Sequence, residues 1–264
     1  MGMYVQEVGP VGAPTIVLLH GAGVGGWMWR DTMAALSEVH LLVPDMPEQG
    51  KSQDAGLFSI AGTARLVADL IAERAHGGKA FVAGLSLGAQ VTVALLGSRP
   101  DVVLGAFASG TLVRPIAGIG LVNAMLPLYM PMRNVRWLVR ANMKALEVPD
   151  KFESDFARET AALTTPSYRR MTVENAAFRV PPGLDSVTCP VLITVGEREL
   201  KVMKESAHDL AAAAPSARAF VVTEHGHNWP VQDPGLYARV VRAWMANGPL
   251  PDTLRPLWLW RRKR

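Results

Sequence analysis

A serine hydroxyl becomes a strong nucleophile only when a neighbouring base takes its proton, and this chain sets one serine where that exchange is feasible. Ser86 stands in Gly84-Leu85-Ser86-Leu87-Gly88, between the apolar run Ala80-Phe81-Val82-Ala83 and a small-to-apolar helical stretch through Leu96. A serine in such a strand-to-helix turn takes a strained backbone, and glycines on either side let the turn close and the helix approach. The hydroxyl is then exposed at the carboxyl edge of the strands, and the Leu87 N–H at the helix start points at a developing oxyanion.

A second donor is offered by His20-Gly21-Ala22-Gly23, which follows the run Thr15 to Leu19. Ala22 is the preferred N–H, with Gly23 as runner-up, and the His20 side chain is expected to brace the loop. Loss of one such donor typically raises the barrier by about 3 kcal/mol. The base should follow the last core strand, where His225-Gly226-His227-Asn228-Trp229-Pro230 supplies two candidates. Both imidazoles suit proton transfer near neutral pH, and their chemistry alone does not separate them. His40, His76 and His208 fall in a strand, a helix end and a helix, where structural roles are expected. An acid to orient the imidazole is expected in Gly196-Glu197-Arg198-Glu199, with Glu199 the first choice and Glu197 the second.

These groups need a scaffold that ends several strands at one edge. Continuously apolar runs at 15–19, 39–43, 80–83, 102–107, 191–195 and 219–222 alternate with helical patterns, over 59–74, from Ser86 to Leu96, over 202–214 and after Asp233-Pro234. Apolar strands alternating with helices predict an α/β fold with a mostly parallel sheet covered on both faces. The stretch 112–180 breaks this rhythm with prolines, methionines and aromatic residues, and is expected to be a helical cap. The domain reading is a core of 1–111 and 181–248, the cap 112–180 and a basic C-terminal tail 249–264. Arg133, Arg136, Arg140 and Lys144 recur at helical spacing and are expected on the solvated back of the cap.

Composition narrows the function classes. The 264 residues are 49% hydrophobic and 19% charged, a globular balance. The formal net charge of +4 owes much to Arg255, Arg261, Arg262, Lys263 and Arg264; removing these five leaves −1. A nearly neutral body argues against nucleic-acid binding. The tail, with Trp258 and Trp260, could touch an anionic membrane weakly, although the expectation is that its tryptophans pack back on the domain. No apolar run reaches the roughly 18 residues of a membrane span. The first residues lack the pattern of a secretion signal and the one cysteine, Cys189, reads as a buried filler, so a cytoplasmic protein is expected.

Taken in chain order, these features resemble the α/β-hydrolase superfamily, in particular its compact cap-bearing members: esterases, carbon–carbon bond hydrolases, and the plant methylesterase and hydroxynitrile lyase relatives. The resemblance spans Ile16 to Met245. His20-Gly21-Ala22-Gly23 is similar to the oxyanion loop, and Asp45-Met46-Pro47-Glu48-Gln49-Gly50-Lys51-Ser52 to the family's D-x-P-x-x-G-x-S turn. Gly226-His227 matches the family's glycine–histidine pair, which selects His227 over His225. The acid position is usually aspartate and corresponds here to Glu199. Trp27, after the oxyanion loop, is expected to pack that loop.

The resemblance implies a serine hydrolase needing no metal or organic cofactor, with catalytic Ser86, Glu199 and His227 and oxyanion donors Ala22 and Leu87. The methionine-rich cap favours a small or medium apolar ester or lactone as substrate. The alternatives are carbon–carbon cleavage of a conjugated diketone, a cyanohydrin lyase, and a non-catalytic ligand-binding protein on the same fold.

Overall fold

The computed structural model describes residues 2–116 and 118–260. The basic residues 261–264, on which the membrane-contact expectation rests, lie outside them. Eight strands form one sheet in the order β1-β3-β2-β4-β5-β6-β7-β8. They are β1 (Val5–Val8), β2 (Thr15–Leu19), β3 (His40–Pro44), β4 (Ala80–Leu85), β5 (Val103–Ser109), β6 (Val191–Gly196), β7 (Ala217–Val222) and β8 (Leu254–Pro256). The six inner strands are parallel, and the two edge strands pair antiparallel, β1 on β3 and β8 on β7.

The two edges escape the apolar-run criterion for a physical reason. Strand β1 reads Val-Gln-Glu-Val with most side chains exposed, and β8 is three residues long and ends in Pro256. Short, polar, proline-bearing edges resist pairing with other chains, and they carry little hydrophobic pattern. The segment after Gly248 closes the sheet with β8 and continues into a short helix over 257–260. Leu257 is buried beyond β8, and Trp258, 61% exposed, lines a surface pocket with His208, Ala211 and Phe220.

Eleven helices accompany the sheet among the described residues. They are α1 (Arg30–Ala35), α2 (Ile60–Arg74), α3 (Leu87–Ser98), α4 (Ile119–Tyr129), α5 (Arg136–Ala145), α6 (Glu153–Ala162), α7 (Thr165–Ala177), α8 (Lys201–Ala213), α9 (Trp229–Gln232), α10 (Pro234–Met245) and α11 (Leu257–Trp260). Strand side chains alternate between two cores, as the period of two requires. Val17, Leu19, Val82, Ala106 and Ile193 pack with α2, α3 and α8. Ile16, Leu18, Ala83, Phe107 and Leu192 pack with α1 and α10, where Phe107 and Tyr237 stack at 5.2 Å. Helix α2 starts cleanly because the Ser59 hydroxyl accepts the Gly62 N–H at 3.0 Å.

Helices α4 to α7 fill the insertion between β5 and β6. Charged ties fix it to the core. Arg170 of α7 clamps Glu48 with two hydrogen bonds of 2.7 and 2.8 Å, and Arg30 reaches Asp155 of α6 at 2.7 Å. The cationic stripe divides: Arg136 and Arg140 are exposed and share Glu153. Arg133 lies before α5 instead, and its guanidinium donates to the carbonyls of Met130, Thr160 and Ala161. It therefore joins cap segments rather than facing solvent. Cys189, expected to be buried, is half-buried at the edge of the core.

Candidate active site

Ser86 sits between β4 and α3 with φ +57° and ψ −114°, a conformation costing a non-glycine residue on the order of 1–3 kcal/mol. The surroundings fix that strain in place. The Ser86 N–H donates to the Ser109 carbonyl at 2.9 Å, and the Gln90 N–H returns to the Ser86 carbonyl at 3.1 Å. A β-carbon at Gly84 would lie 2.3 Å from the Gly88 carbonyl oxygen, and one at Gly88 would lie 2.4 Å from that of Leu19. Both glycines are there because backbone crosses where a side chain would stand.

The loop after β2 comes close to the same serine: the β-carbon position of Gly21 is 3.8 Å from Ser86 Cβ. His20 braces it, as expected. Its Nε2 accepts the Met46 N–H at 2.9 Å, so Nδ1 carries the proton and donates to the Gly21 carbonyl at 2.8 Å. Burial holds the His20 pKa below its ordinary value despite the opposing charge of Asp45. The Gly23 N–H is engaged by Gln49 Oε1 at 2.8 Å, whereas Ala22 is exposed. Of the two N–H groups considered in this loop, that of Gly23 is already taken.

Asp45 stabilises this corner from below. Its carboxylate accepts the Gly26 N–H at 2.6 Å and the Lys51 N–H at 2.7 Å. Gly50, at φ +56°, leaves room for it, since a β-carbon there would fall 2.3 Å from Asp45 Cγ. The D-x-P-x-x-G-x-S turn is thus a buried carboxylate holding two loops together.

On the other side of Ser86, the loops after β6 and β7 meet backbone to backbone. A β-carbon at Gly196 would lie 2.3 Å from the Gly226 carbonyl oxygen. Glu199, whose side chain is 2% exposed, places Oε2 2.8 Å from His227 Nδ1 and takes the Gly196 N–H on Oε1 at 2.9 Å. A carboxylate can only accept here, so Nδ1 holds the proton and Nε2 keeps its lone pair. Glu197 turns away and accepts the Glu224 N–H at 2.8 Å. His225 Nδ1 donates to the Thr223 carbonyl at 2.6 Å. Burial opposes charge on His227, but the hydrogen bond and charge of Glu199, with Glu147 adding, hold its pKa above the ordinary value.

Ser86 and His227 line one cavity of about 140 Å³ with Gly21, Ala22, Met28 and Leu85. Trp27 rests on Phe152 at 5.3 Å between centroids and also walls this cavity, a place beyond its expected packing role. The site further depends on residues that motif reading passes over. Gly110, φ +61°, offers the face on which His227 lies. The Ser109 hydroxyl accepts Trp229 Nε1–H at 2.9 Å, tying the histidine loop to β5. Glu147 of the cap pairs with Arg198 at 3.2 Å, and its carboxylate fills the space a β-carbon at Gly226 would need. A glycine next to the histidine was the one signal of such crowding. Among the described residues, no three or more His, Cys, Asp or Glu side chains converge as for a metal ion. Nor is any helix among them long and apolar enough to cross a membrane.

The model of the alpha/beta hydrolase family matches residues 16–240. The chain belongs to that family. A superfamily member from Gibberella zeae is 28% identical over 250 residues, covering 91% of this chain and 83% of its own. Among solved structures, an esterase from Exiguobacterium antarcticum superposes with a TM-score of 0.77 at 16% identity, covering 92% of this hydrolase and 95% of the other chain. An enol-lactonase from Burkholderia xenovorans LB400 does so at 0.72 and 20%, covering 92% and 96%. At these identities the superpositions speak to the fold: a mostly parallel sheet, helices on both faces and an inserted helical region.

Proposed function

We propose that this α/β-hydrolase is a serine esterase cleaving small or medium apolar carboxylic esters or lactones through an acyl-enzyme. The observation that carries the reading is the 2.8 Å contact of Glu199 with His227, on a histidine that shares a cavity with the strained Ser86. Nε2 of His227 takes the Ser86 proton as Oγ attacks the carbonyl carbon. The oxyanion that forms is met by the N–H groups of Ala22 and Leu87, the latter at the start of α3, where the helix dipole also favours negative charge. The imidazolium, stabilised by Glu199, then protonates the leaving oxygen. Water attacks the acyl-enzyme by the same route in reverse, and His227 returns the proton to Ser86.

Glutamate in place of aspartate is accommodated because Oε1 is fixed by Gly196 N–H, which limits the extra rotamer freedom of the longer side chain. The cavity around Ser86 is mainly apolar, with Val24, Met28, Leu85 and Val231 among its walls. An esterase and an enol-lactonase among the structural neighbours are consistent with this substrate class. The test is turnover of short acyl esters beside conjugated diketones by the wild type, Ser86→Ala and His227→Ala. Ester hydrolysis lost in both variants is expected. Turnover of the diketone alone would move the assignment to carbon–carbon cleavage.

A further inference from the structure

A second cavity, of about 340 Å³, lies among the inserted helices α4 to α7 and reaches Ala22 and Gly23 of the loop after β2. It shares Ala22, Leu146 and Phe156 with the 140 Å³ cavity that holds Ser86 and His227, so these three residues stand between the two spaces. Resting on the serine-esterase reading, we propose that the two cavities divide the substrate: the small one takes the reacting ester and a short alcohol, and the larger one takes a bulky, uncharged acyl group.

Size argues the first half. A cavity of about 150 Å³ accommodates one benzene, roughly six heavy atoms. The ester carbon and its two oxygens fill about half of the small cavity on that scale, leaving room for one to three alcohol carbons. Direction argues the second. The leaving oxygen must take its proton from His227, so the alcohol belongs on the side of His227, Asn228 and Val231, which line the small cavity only. The larger cavity includes Ala22 and Gly23 of the oxyanion loop but neither Ser86 nor His227. A chain leaving the carbonyl carbon away from the histidine leads there.

The walls of the larger cavity set the chemistry. No Asp, Glu, Lys or Arg lines it. Its polar groups are neutral: Asn142 Nδ2 donates to the Tyr129 hydroxyl at 2.9 Å, and the Tyr129 and Tyr168 rings lie 6.0 Å apart. The Tyr168 phenol is protonated near neutral pH, and burial pushes its pKa further up. Aromatic faces with hydroxyl and amide edges suit an aryl-alkanoyl or similarly neutral acyl group. A terminal carboxylate would be desolvated there without a cation.

Two isomeric esters test the division, since they differ only in which side of the ester carries the bulk. For methyl 4-phenylbutanoate, kcat/KM is expected to exceed that for 3-phenylpropyl acetate by at least tenfold. Dimethyl suberate is expected to exceed monomethyl suberate by at least tenfold as well. Ala145→Trp, at an exposed position bordering the larger cavity, should lower kcat/KM for methyl 4-phenylbutanoate at least tenfold relative to methyl acetate. Equal or reversed preference between the isomers, with esters still hydrolysed, overturns the division alone. Absence of turnover on every ester together with no covalent labelling of Ser86 overturns the esterase reading itself.

Discussion

Gly110 and His227 are in direct contact: a β-carbon on Gly110 would lie 2.7 Å from Cε1 and 2.8 Å from Nδ1 of the imidazole. Real side-chain atoms do not approach so closely. Because Gly110 also has φ +61°, alanine there is strained by its backbone as well, at a cost of about 1 kcal/mol. Gly110→Ala should therefore fold while displacing the histidine. The expected result is a fall in kcat of about a hundredfold or more, since misplacement by about 1 Å has that effect. Steady-state kinetics beside an unfolding curve separates this from simple loss of stability.

The two glutamates of the acid loop can be distinguished in the same assay. Glu199→Gln leaves an amide on His227 Nδ1 and no longer stabilises the imidazolium, for which a loss in kcat on the order of 10³ to 10⁴ is typical. Glu197 accepts the Glu224 N–H instead of meeting His227, so Glu197→Gln should stay within a few-fold. A large loss confined to Glu197→Gln would reassign the acid.

The raised pKa of His227 has a sign that kinetics can read. The base must be neutral to take the serine proton, so kcat/KM should climb with pH through the His227 pKa, and the midpoint should lie above the ordinary histidine value of about 6.5. Glu147 contributes to that elevation from the cap. In Glu147→Gln the acid limb should move to lower pH, with activity at the plateau largely kept. An unmoved limb would show that the cap carboxylate does not act on the histidine.

Glu48 and Arg170 supply a prediction about the cap. The guanidinium holds the Glu48 carboxyl below its ordinary pKa, against the opposing effect of burial. A depressed folded-state pKa adds stability that is present above the unfolded value and lost as pH falls through the folded one. Arg170→Ala should cost about 1–3 kcal/mol near neutral pH, and the difference from wild type should shrink in acid. Urea unfolding at two pH values measures it.

What could be read from the residues follows from how locally each feature is encoded. The inner strands show as apolar runs where both of their faces are buried, in β7 only toward its end, and Gly84 to Gly88 shows because a strained turn needs glycines at fixed spacing. The edges β1 and β8 are polar or short by the logic of edges and leave no such trace. Contacts made through space leave still less. Gly110 under the histidine and Gln49 on the Gly23 N–H join positions far apart in the chain, and no local pattern announces them. Glu199 over Glu197 is an intermediate case. Position suggested it, and Glu199 is the one of the two hydrogen-bonded to His227.

The most direct test of the central claim is the mass of the protein after reaction with a fluorophosphonate, followed by peptide mapping. An activated serine predicts one adduct per chain, located on Ser86, slowed severely by His227→Ala and absent in Ser86→Ala. A folded wild-type protein that gains no adduct, or gains one at another residue with Ser86 untouched, would contradict it.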